Sequence, residues 1–94
     1  MIVVRNNIIA KPGQAGKLAA QLKEMASLMP GNFRILTDLT GAFNHVVFEL
    51  EAENMAEFEE RFRVYSTDPA VREKMAGYTD LWTTGSREIY QVVK

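Results

Sequence analysis

His45 is the residue in this sequence best suited to general acid–base chemistry, because it is the only histidine and an unperturbed imidazole titrates near neutral pH. It follows the turn at 40–42 and begins a segment of alternating polarity, so Asp38 could face it across a hairpin. No recognisable catalytic constellation surrounds it in the sequence. His45 is therefore either a proton-transfer residue or, as we favour, a structural residue at an interface.

Asn6 is the one polar residue in an otherwise apolar set of alternating positions near the start of the chain. The apolar members of that set are Ile2, Val4, Ile8 and Ala10. An amide buried without hydrogen-bond partners costs about 1–3 kcal/mol. We therefore expect Asn6 either to bond a neighbouring side chain or water, or to orient the carbonyl group of a ligand.

Four aromatic residues in the second half of the chain could form the wall of a ligand pocket, since small-molecule sites are commonly lined by aromatic side chains. They are Tyr65, Tyr78, Trp82 and Tyr90. The alternative is that they are ordinary core residues whose hydroxyl or indole groups reach a partner at the surface. The sequence leaves both interpretations open.

The composition argues against several classes of site and partner. The chain has 94 residues, no cysteine and a formal net charge of −1, and its 11 Lys and Arg residues are scattered. Thiolate metal sites and disulfides are therefore excluded, one histidine with dispersed acids offers no metal constellation, and no basic face is available for nucleic acid. There is no phosphate-cradling glycine loop and no apolar run of membrane-spanning length. We expect a cytoplasmic protein that uses no cofactor and has no nucleic-acid or membrane partner.

Hydrophobic periods of two and of three to four residues follow one another along the chain and predict four strands and three helices. The expected elements are a strand over Ile2–Ala10, a helix from Gln14 to about Met29 that ends at 30–32, a strand over Phe33–Thr40, a strand that stops at Ala52, a helix over Met55–Tyr65, a short helix from Pro69, and a strand over Arg87–Val93. Asn54, with Glu57 three residues later, predicts a capping-box-like pair, and Asp68 predicts a second cap. The stretch 82–85 is expected to be a loop.

This order predicts a single α+β domain over residues 1–94 with the ferredoxin-like βαββαβ arrangement, in which a four-stranded antiparallel sheet carries helices on one face. The uncovered face would mix charged and apolar residues, with Arg5 near Glu49 or Glu51. Its expected members are Arg5, Asn7, Ile9, Leu36, His45, Val47, Glu49, Ile89 and Val93. Because that mix suits neither water nor a dry core, we expect a homodimer in which two copies pack sheet against sheet.

The sequence resembles the dimeric α/β-barrel superfamily, and within it the NIPSNAP-type branch related to antibiotic biosynthesis monooxygenase-like proteins. The matching stretches are MIVVRNNIIAKPG, FRILTDLTGAFNHVVFELEAENMAEFEE, STDPAVREKM and REIYQVV, which together cover nearly the whole chain. These motifs identify the architecture better than they identify an activity. Members of the superfamily include cofactor-free monooxygenases, haem-degrading monooxygenases, muconolactone isomerase-like enzymes and stress-induced dimers, and the fold alone does not choose among them.

The resemblance implies a ligand pocket between the sheet and the helices. The residues expected there are the polar Asn6, Thr37 and Tyr90 and the aromatic Tyr65, Tyr78 and Trp82. A slip of one residue in the first strand would exchange Asn6 for Asn7. Haem-degrading relatives use an asparagine on the first strand, a tryptophan and a histidine late in the second helical region. The corresponding stretch here, AVREKMAGY, contains no histidine, which argues against haem degradation.

Two functions from different classes remain open. The first is a dimeric, cofactor-free monooxygenase or isomerase that acts on a small apolar or aromatic molecule. In that case we expect Asn6 to orient a carbonyl group of the substrate and Tyr90 or His45 to transfer a proton. The second is a non-catalytic homodimer that binds a small ligand or a protein partner.

Overall fold

The computed structural model describes residues 1–29 and 31–94, and it arranges them as one antiparallel sheet with helices on one side. The elements in chain order are β1 (Ile2–Ala10), α1 (Ala15–Ala26), β2 (Phe33–Thr37), β3 (His45–Ala52), α2 (Met55–Thr67), α3 (Pro69–Lys74), a 3-10 turn (Tyr78–Asp80) and β4 (Trp82–Gln91). The strands lie in the order β2-β3-β1-β4, and every neighbouring pair is antiparallel. The predicted ferredoxin-like fold is confirmed.

The core lies between the sheet and α1, on the side that the alternation in β1 predicts. Val4 is fully buried and Ala10 is 2% exposed, whereas Asn6 between them is half-buried. Across the core, α1 contributes Leu18 and Leu22 at helical spacing. Burying an aliphatic side chain of this size stabilises the fold by about 1.5–3 kcal/mol. The even positions of β1 therefore face the helices, and Asn6 rather than Asn7 is on that side.

The helix starts follow from local capping residues. The Asn54 side chain accepts a hydrogen bond from the Glu57 backbone N–H at 2.9 Å, which confirms the cap of α2. The Glu57 carboxylate reaches back to the backbone N–H of Glu53, at 3.5 Å, rather than to that of Asn54. The Asp68 carboxylate accepts from the Ala70 backbone N–H at 2.9 Å and caps α3. These local bonds fix where the chain enters both helices.

Two predicted elements are longer than the observed ones. Helix α1 ends at Ala26 rather than about Met29, where the Ser27 hydroxyl donates to the Glu24 carbonyl at 2.6 Å. Pro30, within the predicted helix end at 30–32, lies outside the described residues. Strand β2 ends at Thr37 rather than Thr40. The Asp38 carboxylate accepts from the His45 backbone N–H at 3.1 Å and closes the loop that follows.

Strand β4 differs most from the prediction. It begins at Trp82, so the expectation of a loop over 82–85 is wrong. Its register with β1 places Ile89 opposite Val4, on the helix side, and Tyr90 opposite Val3, on the uncovered side. The prediction had these two residues the other way round. The reason is that β4 is an edge strand with polar and apolar residues on both faces, so its polarity does not reveal which face is inward.

Candidate functional site

A cleft of about 580 Å³ opens between the helix side of the sheet and helices α1, α2 and α3. Strands β1 and β3 form its floor, and aromatic residues from α2, from the 3-10 turn and from the start of β4 form much of its wall. Representative lining residues are Asn6, Phe48, Phe58, Tyr65, Tyr78 and Trp82. Its size falls within the roughly 300–1,000 Å³ of small-molecule sites.

Two pairs of aromatic rings build the wall. On α2, the rings of Phe58 and Phe62 lie one helical turn apart, with centroids at 6.0 Å. Beside β4, the rings of Tyr78 and Trp82 stack almost in parallel, with centroids at 6.3 Å and planes 4° apart. Tyr65 lines the same cleft. Tyr65, Tyr78 and Trp82 thus lie together where a pocket wall was expected, and their role in binding stays a prediction.

Asn6 is held on the floor of the cleft by two hydrogen bonds. Its Nδ2 donates to the Phe48 carbonyl at 3.4 Å, and its Oδ1 accepts from Arg87 Nε at 2.7 Å. Because a carbonyl only accepts and a guanidinium only donates, these partners determine which way the amide points. Both ends of Asn6 are engaged within the protein, so its first role here is to position Arg87.

Arg87 is one of several cleft residues that the sequence analysis did not predict, and it is the one that Asn6 contacts. Its guanidinium lies 5.3 Å from the ring centroid of Phe58 and 4.8 Å from that of Phe62, at distances typical of cation–π contacts. The side chain is exposed, and it also lines the cleft. The sequence predicts a strand from Arg87, but the expected parity places Arg87 with Ile89 on the uncovered face, and only the register of β4 with β1 shows that both face the helices.

Trp82 carries a buried donor without a partner. Its Nε1 is inaccessible to solvent and has no acceptor among the described residues. A buried N–H in that state costs about 1–3 kcal/mol. Trp82 also forms part of the cleft wall, but its Nε1 is not open to the cavity, so a ligand oxygen would accept from this N–H only if the indole turned toward the cleft.

The charged groups of the cleft are all cationic. Among the described lining residues, Arg61, Arg72 and Arg87 are charged, and none is a carboxylate or a histidine. Arg61 is bonded to the Glu57 carboxylate at 3.3 Å and to the Glu51 carbonyl at 2.9 Å. The cleft can therefore attract an anionic group, whereas proton abstraction by a carboxylate or imidazole would need a group from outside this lining.

His45 and Tyr90 lie on the opposite face of the sheet and belong to one polar network. His45 Nε2 is 3.1 Å from Asn7 Oδ1, Asn7 Nδ2 donates to the Glu88 carboxylate at 2.5 Å, and the Tyr90 hydroxyl donates to the same carboxylate. The bond from Tyr90 lowers the pKa of Glu88 and raises the pKa of Tyr90 itself. The expectation that Tyr90 reaches the cleft is wrong, since the sheet separates the two. His45 lies on the uncovered face, as expected.

Thr37 is also outside the cleft. It lies on the helix side of the sheet opposite Val46, but it is exposed at the end of β2 and is not a lining residue. The structure thus brings together Asn6, the wall aromatics and Arg87, and leaves Thr37 apart.

Next to the His45 network on the uncovered face, Glu49 is almost completely buried between two arginines. It is 5% exposed, and it accepts from Arg5 Nε at 3.0 Å, from Arg5 Nη2 at 2.9 Å and from Arg34 Nε at 3.1 Å. The bonds from Arg34, and then those from Arg5, hold the pKa of Glu49 below its usual value. The predicted proximity of Arg5 and Glu49 is confirmed. A carboxylate kept ionised by two guanidinium groups serves as a structural anchor rather than as a base near neutral pH.

The residues that the structure describes form neither a metal cluster nor a membrane-spanning helix. No three His, Cys, Asp or Glu side chains there lie close enough together to hold a metal ion. None of the helices in 1–29 and 31–94 is both long and apolar enough to cross a membrane.

Comparison with solved structures reproduces this architecture. An uncharacterized NIPSNAP-like domain protein from Burkholderia xenovorans superposes with a TM-score of 0.86 at 16% identity, over 98% of this chain and 84% of the other. A NIPSNAP family protein from Agrobacterium tumefaciens gives 0.86 at 13% identity, over 98% and 85%. An antibiotic biosynthesis monooxygenase gives 0.74 at 12% identity, over 100% of both chains. No protein-family model and no curated protein matches the sequence.

At these identities the similarity establishes the fold alone. The structural neighbours are NIPSNAP-like and antibiotic biosynthesis monooxygenase-like proteins, which confirms, at the level of the fold, the resemblance that the sequence shows. They do not show what chemistry the cleft performs.

Proposed function

We propose that this protein binds a small, predominantly apolar molecule in the cleft and oxygenates it without a cofactor. The observation that carries the proposal is the buried Trp82 N–H, which has no acceptor among the described residues and belongs to the wall of the cleft that Asn6 and Arg87 also line. An apolar cavity with a few convergent polar groups is the usual form of a small-molecule site. The reaction class rests on the fold shared with a protein named as an antibiotic biosynthesis monooxygenase.

The lining favours oxygenation over isomerisation. Moving a proton between two carbon atoms requires a positioned acid or base, and the described lining contains no carboxylate and no imidazole. In cofactor-free oxygenation, an activated CH₂ group acidic enough to lose a proton to water gives a carbanion, and this carbanion supplies the electrons that reduce O₂. One oxygen atom of O₂ becomes a carbonyl, and the other leaves as hydroxide, which takes up the released proton and becomes water. In this scheme the Trp82 indole turns toward the cavity and donates to a substrate oxygen, and Asn6 acts through Arg87 rather than on the substrate directly.

The test uses the purified protein with a panel of phenolic and anthrone-like compounds and isotopically labelled dioxygen. A substrate should give a product with one labelled oxygen atom, together with uptake of oxygen. Trp82→Phe keeps the aromatic wall but removes the donor, so kcat/KM should fall at least about tenfold, the equivalent of one hydrogen bond of roughly 1.4 kcal/mol. Tyr90→Phe, on the opposite face, is the matched control and should keep full activity. Equal loss in both variants, or full activity in Trp82→Phe, would contradict these roles.

A non-catalytic binding protein is the second candidate. It is favoured by the position of His45 and Tyr90, the two expected proton-transfer residues, on the face away from the cleft. Saturable binding of the same compounds without oxygen uptake or product would support this candidate and exclude oxygenation.

We also propose that the uncovered sheet face is the interface of a homodimer. Leu36, which is 37% exposed, lies beside Val47 there, next to the buried Glu49 with its two arginines. Leu36→Arg should convert a dimer to a monomer in light scattering after size-exclusion chromatography, since it places a charge in the apolar part of the face. Leu39→Arg is the control, because Leu39 is 98% exposed in a loop. A monomeric wild type, or a dimer that both variants retain, would rule out this interface.

A further inference from the structure

We propose that the ligand of the cleft is a small carboxylic acid with an apolar body, bound as the carboxylate by Arg87. This assignment rests on the proposed binding function of the cleft and specifies its chemistry. It does not depend on whether the bound molecule is oxygenated.

The pairing of the arginines points to this conclusion. Of the six arginines in the chain, four form ion pairs with a glutamate, and these are Arg5, Arg34, Arg61 and Arg63. Arg72 and Arg87 form none with a described carboxylate, and both line the cleft. The two guanidinium groups without a carboxylate partner therefore meet at the same cavity. Each of the other four arginines has a glutamate within ion-pair distance, with Arg5 and Arg34 sharing Glu49.

Arg87 is also held in place before a ligand arrives. Its Nε is engaged by Asn6 Oδ1 at 2.7 Å, and its plane lies near the rings of Phe58 and Phe62. This arrangement leaves the Nη groups to donate to a ligand. A guanidinium restrained in this way loses little conformational entropy on binding, and its planar donors match the two oxygen atoms of a carboxylate.

The apolar lining of the cleft determines the chemistry of the part of the ligand that does not bind Arg87. Apart from its few polar groups the lining is aliphatic and aromatic, with Phe48 and Leu50 on the floor and Met25 and Met75 on the helices. An apolar body would displace water from these side chains, and a carboxylate beside Arg87 would be partly desolvated, which strengthens its attraction to the guanidinium. An amphipathic acid satisfies both parts of the site.

Octanoate and octanamide are the probes, because they have the same apolar chain and differ in charge. Trp82 is the only tryptophan and lies on the cleft wall, so its fluorescence reports occupancy of this site. We expect octanoate to bind at least tenfold more tightly than octanamide at neutral pH. Arg87→Gln should abolish that preference. Arg63→Gln should preserve it, because Arg63 pairs with Glu60 on the exposed side of α2 and does not line the cleft.

Asn6→Asp is the second variant and retains the arginine. It places a carboxylate within reach of Arg87 Nε, so the guanidinium charge is neutralised internally, and the preference for octanoate should again be lost. This variant is measured independently of Arg87→Gln and tests the assignment if that variant does not fold.

Each remaining outcome has a separate meaning. Equal affinity for octanoate and octanamide would overturn the carboxylate assignment and leave binding of apolar molecules in the cleft intact. A fluorescence response to neither probe would overturn the assignment together with the proposed binding function. A preference for octanoate that survives both Arg87→Gln and Asn6→Asp would show that another group recognises the charge, and would overturn the role of Arg87.

Discussion

Gly85 is the position at which β4 comes too close to β1 to accommodate a side chain. A Cβ atom built on Gly85 would lie 2.8 Å from the backbone oxygen of Asn7 and 3.4 Å from Cζ3 of Trp82. Because the nearer atom belongs to the backbone, no side-chain rotation relieves the contact, and the strands must separate by several tenths of an ångström. We therefore expect Gly85→Ala to destabilise the protein and to displace the cleft residues that β4 carries.

The expected destabilisation by Gly85→Ala is the difference between two opposing effects. Forcing an extra methyl group into a close contact costs about 1–3 kcal/mol. Replacing glycine by alanine stabilises a strand by roughly 0.5–1 kcal/mol through the lower entropy of the unfolded chain. The net expectation is a loss of about 1–2 kcal/mol. In a domain of this length that corresponds to a fall in Tm of about 5–15 °C.

Thermal and urea denaturation, followed by far-UV circular dichroism and Trp82 fluorescence at a fixed protein concentration, measures this loss. Gly16→Ala is the matched control. A Cβ on Gly16 would meet nothing within 4 Å, and Gly16 lies in α1, where alanine is favoured by up to about 1 kcal/mol. The two variants should therefore shift Tm in opposite directions. A Gly85→Ala variant as stable as wild type, or an equal loss in both variants, would refute the strand contact as the cause.

Three further predictions concern the elements that support the cleft. Since the pKa of Glu49 is lowered in the folded state, its ion pairs stabilise the protein above the unfolded pKa of about 4.3 and lose that effect as the pH falls through the lower folded pKa. In urea denaturation between about pH 5 and pH 3, the free energy of unfolding should therefore fall more steeply for wild type than for Glu49→Gln. Parallel plots of this free energy against pH would count against the ion pairs. Asn54→Ala should cost about 1 kcal/mol in the same assay, and Asn54→Ser much less, because serine also caps a helix. Leu18→Ala should cost about 2–5 kcal/mol at a fully buried site, against less than about 0.5 kcal/mol for Leu39→Ala, and similar losses in both would contradict the described core.

The features that depend on neighbours along the chain were predictable from the sequence. The strand at β1 was predicted with its observed bounds, because one face of it is buried and therefore apolar at every second position except Asn6. The caps at Asn54 and Asp68 were predicted because each bonds a backbone N–H only two or three residues away. Where burial or a local hydrogen bond determines an element, the element can be predicted from the types of its own residues.

The contents of the cleft depend on residues that are far apart in the sequence. Asn6 and Arg87 are 81 positions apart, and they meet only because β4 pairs with β1 in one particular register. That register also places Tyr90 on the face opposite the cleft. Strand β4 is an edge strand with exposed positions on both faces, so neither face needed to be apolar and the alternation that identifies β1 is missing. The sequence by itself therefore determined the order of the elements and the side of the sheet on which Asn6 lies, whereas only strand pairing in the tertiary structure decided that Arg87 is its partner.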